Sequence, residues 1–351
     1  RIVSIDTSAA EALPGVRAVV TYKDAPDVRF NGNGEDWDIL ESERVLDDHV
    51  RYVGDRVAAV AAESEEVATK AARLIKVEYE DLPAYFDPVA AAAPDAVRLH
   101  DWNDGGNVLW EVDNSFGDVE AGLAEADLVL EDDLAVPAVH HAAMETHCCI
   151  ASFDADGKLT LWSSSQDVFG MRRNLAKVFG LPYSRVRVIA PALGGGFGGK
   201  IDLSCEPVAA LLSQRCGRPV RLVLDRQQDI AGTPTRHAER IHLRLGLKAT
   251  GELTAVDYEA YVAAGAHSGG TMSVCWAAGG KIFKLFKVAN LRYHAIPVYT
   301  NTQNAGAMRG FGSPQVFWAL ATEMGRASRE LGIDLADLYD RNLYDPDACD
   351  L

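Results

Sequence analysis

Apolar and polar positions alternate in short blocks along the first hundred residues. Residues 16–20 and 56–62 are mostly apolar segments of strand length, and residues 75–80 alternate with a period of two before stopping at Leu82-Pro83, so all three read as strands. Ser64 followed by Glu65, Glu66 and Val67 predicts an N-cap with acidic first-turn residues, opening a helix over 64–74. Residues 90–107 are rich in Ala, Pro, Asp and Gly and read as a link. Beyond it, residues 158–162 read as a strand, and 167–179 predict a helix closed by Gly180 and Pro182. Residues 206–216 predict another, with Pro207 in the first turn and Gly217 at the end. Strands follow over 220–224, 241–245 and 253–261. A helix over 314–331 puts Val316, Leu320 and Met324 on one face. The pattern is α+β, without internal repeats, and divides into residues 1–100, a linker at 101–115, and a larger domain over 116–351.

With 351 residues and 48% hydrophobic content, the chain can bury two sizeable cores. Its net charge of -17 and lack of any Lys/Arg cluster argue against nucleic-acid binding. No apolar stretch reaches the roughly 20 residues a membrane span needs, and no signal peptide opens the chain, so a cytoplasmic location is expected. Arg1-Ile2-Val3 reads as mid-strand, as if the N-terminus were trimmed. The cysteines at 148, 149, 205, 216, 275 and 349 show no C-x-x-C spacing, so no [2Fe-2S] cluster is expected here. Cys148-Cys149 reads as a buried strand pair. His140-His141 and His147 flank Glu145 and invite a zinc reading, but Met144 and Cys149-Ile150 give the segment the look of a packed strand.

The chemistry concentrates in three motifs. Gly194-Gly195-Gly196-Phe197-Gly198-Gly199-Lys200 exposes backbone that another molecule can approach closely, although such a run also serves as a plain turn. It contains the spacing of both common phosphate loops. Ile201 stands where a P-loop needs Ser or Thr, and the next helix starts too late for a dinucleotide fold. Ala305 to Gln315 sets Arg309 among small residues, offering a planar donor fork to an anion. Ser163-Ser164-Ser165-Gln166 ends a strand and presents an amide, whether as an exposed loop group or as a ligand contact.

In this order, Gln166, then Gly194 to Lys200, then Ala307 to Gln315, the motifs resemble the molybdenum-binding subunit of the xanthine oxidase (molybdenum hydroxylase) family. Residues 218–226 and Tyr299-Thr300-Asn301-Thr302 extend the likeness over most of the chain. It is most similar to bacterial xanthine dehydrogenases whose molybdenum, flavin and iron-sulfur parts are separate polypeptides. The resemblance implies a small α/β hammerhead domain followed by a partial molybdopterin-binding α+β domain. It implies Gln166, Gly196, Phe197, Gly198 and Arg309 beside a molybdopterin cofactor, with or without a cytosine nucleotide, and the metal held through the pterin. Ile201, Ala277 and Phe311 would line the substrate pocket. FAD-binding and [2Fe-2S] subunits are the implied partners. A C-terminal molybdenum-domain half is implied too, since the chain stops at Cys349-Asp350-Leu351 where the family continues.

Two departures qualify the likeness. The family's general-base glutamate lies in a C-terminal Gly-Glu-Pro motif not found here, and Glu206-Pro207 only echoes it. Where purine oxidases place a glutamate after Gly-Gly-Lys, this chain has Ile201, and their second recognition residue, an arginine, falls near Ala277. Each charged hydrogen bond removed is worth on the order of 1.5–3 kcal/mol. The expected function is oxidation of an N-heteroaromatic, xanthine- or purine-like substrate with water as oxygen source. An aldehyde or aromatic CoA-thioester substrate is the alternative within the family, and a nucleotide-binding module built on the glycine loop is the alternative outside it.

Overall fold

The computed structural model describes residues 1–33 and 40–344; Cys349 and the expected stop at Asp350-Leu351 lie outside them. The chain opens with β1 (Ile2–Asp6), α1 (Ser8–Glu11), β2 (Val16–Thr21), β3 (Ala58–Ala62), α2 (Glu65–Ala72) and β4 (Lys76–Tyr79). β1 pairs antiparallel with β4, and β2 with β3. The expected cap forms: Ser64 Oγ accepts the Val67 N–H at 3.3 Å. Next come α3 (Pro88–Ala91), β5 (Val112–Phe116), α4 (Val119–Ala124), β6 (Leu128–Val136), β7 (Val139–His140), β8 (Cys148–Phe153), β9 (Leu159–Ser163), α5 (Val168–Val178) and β10 (Val186–Ile189). They are followed by α6 (Glu206–Cys216), β11 (Val220–Val223), α7 (Arg226–Gly232), β12 (Thr235–Arg236), β13 (Glu239–Leu247), β14 (Leu253–Gly265), α8 (Thr271–Ile282), β15 (Leu291–Tyr299), α9 (Ser313–Leu331) and α10 (Leu335–Asn342).

Two larger sheets organise the molecule, one ordered β10-β9-β8-β11 and the other β5-β15-β14-β13-β6. Each contains one parallel pair joined through a helix, β9-α5-β10 and β14-α8-β15. Loops leaving the carboxyl ends of parallel neighbours emerge at the same edge of a sheet. Asp167 caps α5 by accepting the Phe169 and Gly170 N–H groups at 3.1 and 3.0 Å, which fixes the turn directly after Gln166.

Residues 90–107 and 101–115, expected as a link, are tied into the fold at several points. Ala91, His100 and Asn107 are buried. The Asn107 amide nitrogen donates to the Ala91 and Val97 carbonyls at 3.0 Å each, its Oδ1 accepts the Leu99 N–H at 2.8 Å, and β5 pairs with β15. Weak periodicity in a sequence marks irregular backbone, but one buried amide can satisfy that backbone as well as a ladder does.

Two main cores result. The five-stranded sheet packs on α8, α9 and α10, with Val316, Leu320 and Met324 buried as their spacing predicts. The four-stranded sheet packs on α5 and α6, and Val20, Phe30, Val45, Leu46 and Ala61 from the first hundred residues join that same core. Among the described residues, no helix is long and apolar enough to cross a membrane.

Candidate functional site

Gln166 follows β9 and the glycine loop follows β10, so their parallel pairing brings the two together. The Gln166 N–H donates to the Lys200 carbonyl at 2.8 Å, while its Oε1 accepts the Gly198 and Lys200 N–H groups at 2.9 and 3.3 Å. With the amide oxygen turned onto the loop, the amide nitrogen points away as an uncommitted donor. The loop following β15 closes the site from the other sheet. Its Arg309 N–H donates to the Phe197 carbonyl at 2.9 Å. Gly198 has φ +101°, and a Cβ there would lie 2.5 Å from the Ala307 carbonyl oxygen, so only glycine allows this approach. At Gly196 the neighbour that a side chain would strike is Gln166 itself. The glycines thus admit the protein's own loops as well as any incoming molecule.

What these contacts leave open is chemically uniform. The N–H groups of Gly195, Gly196 and Phe197 have no backbone partner, and neither does the Arg309 guanidinium or the Gln166 amide nitrogen among the hydrogen bonds of the described residues. Successive N–H groups in a glycine loop with an arginine fork form an anion-binding concavity. An oxygen-rich, anionic cofactor fits this donor set. Phe197 is half exposed, and it adopts a left-handed backbone (φ 54°); Phe311 does the same (φ 48°) in the second loop. Such a conformation in a bulky residue costs about 1–3 kcal/mol and concentrates at functional positions.

Lys200, the candidate phosphate ligand of a P-loop, faces inward. It is buried, and its Nζ donates to Glu145 Oε2 at 2.7 Å; the same oxygen accepts the Gly194 N–H at 3.0 Å. One carboxylate therefore ties both ends of the loop. Burial alone would raise the Glu145 pKa, but the bonds from Lys200 and Gly194 hold it below the ordinary carboxylate value. Glu206 is remote in role: buried at the start of α6, it accepts from Ser163 Oγ at 2.7 Å and from the Ser204 N–H at 2.8 Å.

The histidines of the expected zinc motif are occupied separately. His140 Nε2 meets Thr233 Oγ1 at 2.9 Å, His141 Nε2 meets the Ala307 carbonyl at 2.9 Å, and His147 lies between Asp229 and the Gly199 carbonyl. Among the described residues, the grouping with metal-ligand spacing is Asp47, Asp48 and His49, in the N-terminal part. Cys149 is buried and Cys148 half-buried in β8, and neither forms a disulfide.

The three expected pocket residues divide between the loops. Ile201 is half-buried at the end of the glycine loop, its N–H turned to the Gly198 carbonyl at 3.4 Å. Ala277 is half-buried on α8, one turn before Lys281, whose Nζ donates to the Gly310 and Phe311 carbonyls at 2.7 and 3.0 Å. Sequence reasoning missed Lys281 and Arg236, and met Glu145 only as a neighbour of the histidines. Arg236 donates to the Arg309 carbonyl at 2.6 Å and to Gln315 Oε1 at 3.2 Å. No motif marks such residues, because they act on the loops from elements distant in sequence.

The fold is that of a molybdopterin-binding protein. Residues 99–343 match the molybdopterin cofactor-binding domain, and residues 1–83 match the a/b hammerhead domain of aldehyde oxidase and xanthine dehydrogenase. The chain belongs to the aldehyde oxidase and xanthine dehydrogenase family, as a molybdenum-binding component. It is 37% identical to the xanthine dehydrogenase molybdenum-binding subunit of Escherichia coli O157:H7, over 97% of this chain and 46% of that protein. It is 34% identical to the nicotinate dehydrogenase large molybdopterin subunit of Eubacterium barkeri, over 98% of this chain and 79% of that one. The solved aldehyde oxidoreductase of Desulfovibrio gigas superposes with a TM-score of 0.89 at 32% identity, covering 98% of this chain and 38% of that one. The chain therefore spans less than half the length of the Escherichia coli relative.

Proposed function

We propose that this chain forms one wall of the cofactor site of a molybdenum hydroxylase that oxidises an N-heteroaromatic, xanthine- or purine-like substrate with water as oxygen source. The observation that carries this reading is the gathering of Gln166, Phe197 and Arg309, from three separated segments, around one loop whose N–H groups stay open. Gln166 donates through its amide nitrogen, Arg309 through its fork, and the 195–197 backbone through its N–H groups, so the cofactor's oxygens are bound without a protein ligand to the metal. Gly196 and Gly198 keep the two loops close enough to share that task. When bound, the molybdenum cofactor supplies Lewis-acid activation of water and takes up the electrons leaving the substrate. The pterin is taken with or without a cytosine nucleotide. Electrons pass to [2Fe-2S] and FAD partner subunits in a cytoplasmic heterotrimer, and the general base comes from a further molybdenum-domain half. The names of the Escherichia coli and Eubacterium barkeri relatives, with xanthine and nicotinate, support the substrate class. Ile201 and Ala277, with Phe311, form its apolar face.

Replacing Arg309 with Ala in the full-length protein is the test. Molybdenum content and substrate oxidation should both fall, and wild-type values for both would refute the assignment. Likeness to the Desulfovibrio gigas aldehyde oxidoreductase favours an aldehyde as second substrate class. A panel of purines, nicotinate and aldehydes separates the two by kcat/KM. The nucleotide-binding reading loses its main support once Lys200 is buried against Glu145.

A further inference from the structure

We propose that His147 is a buried imidazolium beneath the glycine loop, and that it acts as a positioning residue by holding the Gly199 carbonyl. The donors and acceptors around the ring decide its charge. His147 Nδ1 lies 2.7 Å from Asp229 Oδ1, and Nε2 lies 2.9 Å from the Gly199 carbonyl oxygen. A carbonyl only accepts, and an ionised carboxylate only accepts, so both ring nitrogens must carry hydrogen. A neutral tautomer would set lone pair against lone pair at one of the two contacts. Moving the proton onto Asp229 is the other way to balance the pair, and its surroundings oppose it: Oδ1 also accepts the His147 N–H at 2.9 Å, and Oδ2 accepts from Arg226 at 3.1 Å.

The charges around the ring agree. Asp229 and Arg226 face it from α7 and Glu206 from α6; His140 stands on β7, Glu145 two residues earlier in the chain, and Lys200 across the loop. His140 is neutral by its bonds, since Thr233 Oγ1 donates to the Asp229 carbonyl and can only accept from His140 Nε2, while His140 Nδ1 accepts the Ala142 N–H. Desolvation pushes the His147 pKa down, but the hydrogen bonds to Asp229 and Gly199 and the charges of Glu206 and Asp229 outweigh it and leave the pKa above its ordinary value. Asp229 is shifted the other way: burial would raise it, and the bonds from His147 bring it below its ordinary value.

The consequence lies in the loop. Glu145 holds Gly194 and Lys200, Gln166 holds Gly198 and Lys200, and His147 alone of the side chains described holds the Gly199 carbonyl. A carbonyl turned toward the N–H groups of 195–197 would repel the anion they bind. This role rests on the reading of the loop as a cofactor cradle; the protonation state does not.

Two measurements on the full-length protein separate these claims. Neutron diffraction at a pD of about 8, well above the ordinary histidine value of ~6.5, should find deuterium on both nitrogens of His147; a single deuteron overturns the imidazolium. His147→Asn keeps an amide nitrogen near the position of Nδ1 and reaches Asp229, whereas His147→Gln reaches toward Gly199. Molybdenum per polypeptide should be retained in His147→Gln and fall on the order of tenfold in His147→Asn, the usual scale for a group that orients a ligand-holding one. Equal molybdenum in the two variants, whether full or lost, overturns the positioning role. The cofactor reading itself stands or falls separately, on Arg309→Ala.

Discussion

A single methyl group is enough to test how the two site loops fit. In Gly198→Ala the new Cβ would meet the Ala307 carbonyl at 2.5 Å in a backbone conformation that alanine avoids. We expect a loss of about 1–3 kcal/mol from backbone strain, read as a lower urea midpoint, with molybdenum content reduced further than stability alone would require. Unchanged values for both would mean that the loops need not touch. Ile201 poses the question of selectivity. Ile201→Glu places a carboxylate in a half-buried position, where it must find a donor or take up a proton. Oxidation of the native substrate should fall sharply at unchanged molybdenum content, and substrate preference should shift toward ligands that donate hydrogen bonds. If Ile201→Glu and Ile201→Ala both keep wild-type preference in steady-state kinetics, Ile201 is a packing residue.

At the scale of elements, the strands set the electrostatics of the interior. Glu239 opens β13 buried, where its Oε2 accepts from Tyr258 Oη at 2.9 Å. Desolvation is the main cause of its pKa rising to about 7, with the Tyr258 bond and the Arg236 charge opposing it. A raised folded pKa means that the folded state holds its proton more tightly than the unfolded chain. Its contribution is therefore complete below about 4.5 and is lost as pH rises through about 7. The difference amounts to roughly 3 kcal/mol at most, at 1.36 kcal/mol per unit. Glu239→Gln should flatten this dependence: urea midpoints of variant and wild type should draw together near pH 5 and separate above pH 7, the variant being the more stable. Parallel curves across that range would place the titration elsewhere. Arg236, whose charge acts on this carboxylate, also donates to the Arg309 carbonyl.

For the whole molecule, the first hundred residues are more than an appendage. Val20, Phe30, Val45, Leu46 and Ala61 lie in one core with Leu161, Leu175 and Leu211. A fragment restricted to residues 99–343 should expose that side of the core. It is expected to aggregate or to unfold without a cooperative transition by circular dichroism; a cooperative, monomeric fragment would show the second region to be self-sufficient. The 351-residue sequence also encodes no thiolate spacing for a redox relay. Since the general base is proposed to come from a further molybdenum-domain half, the chain alone should not hydroxylate substrate even when an artificial acceptor replaces the relay, and measurable turnover would refute the division of labour proposed above.

Local pattern was enough for the helices over 64–74, 167–179, 206–216 and 314–331, because caps, proline and glycine ends and a 3.6-residue stripe are properties of neighbouring residues. Motif order singled out Gln166, Phe197 and Arg309, since each stands in a short, unusual stretch, and the fold brings their segments together. Tertiary structure decided the rest. That residues 101–115 are folded depends on Asn107 reaching partners such as Ala91, and on β15 accepting β5. That Lys200 points inward depends on Glu145, 55 residues away, and the charge on His147 depends on Asp229, 82 residues away. Hydrogen-bond partners and charge neighbours are set by the meeting of distant segments, and a linear pattern carries no record of which distant segments meet.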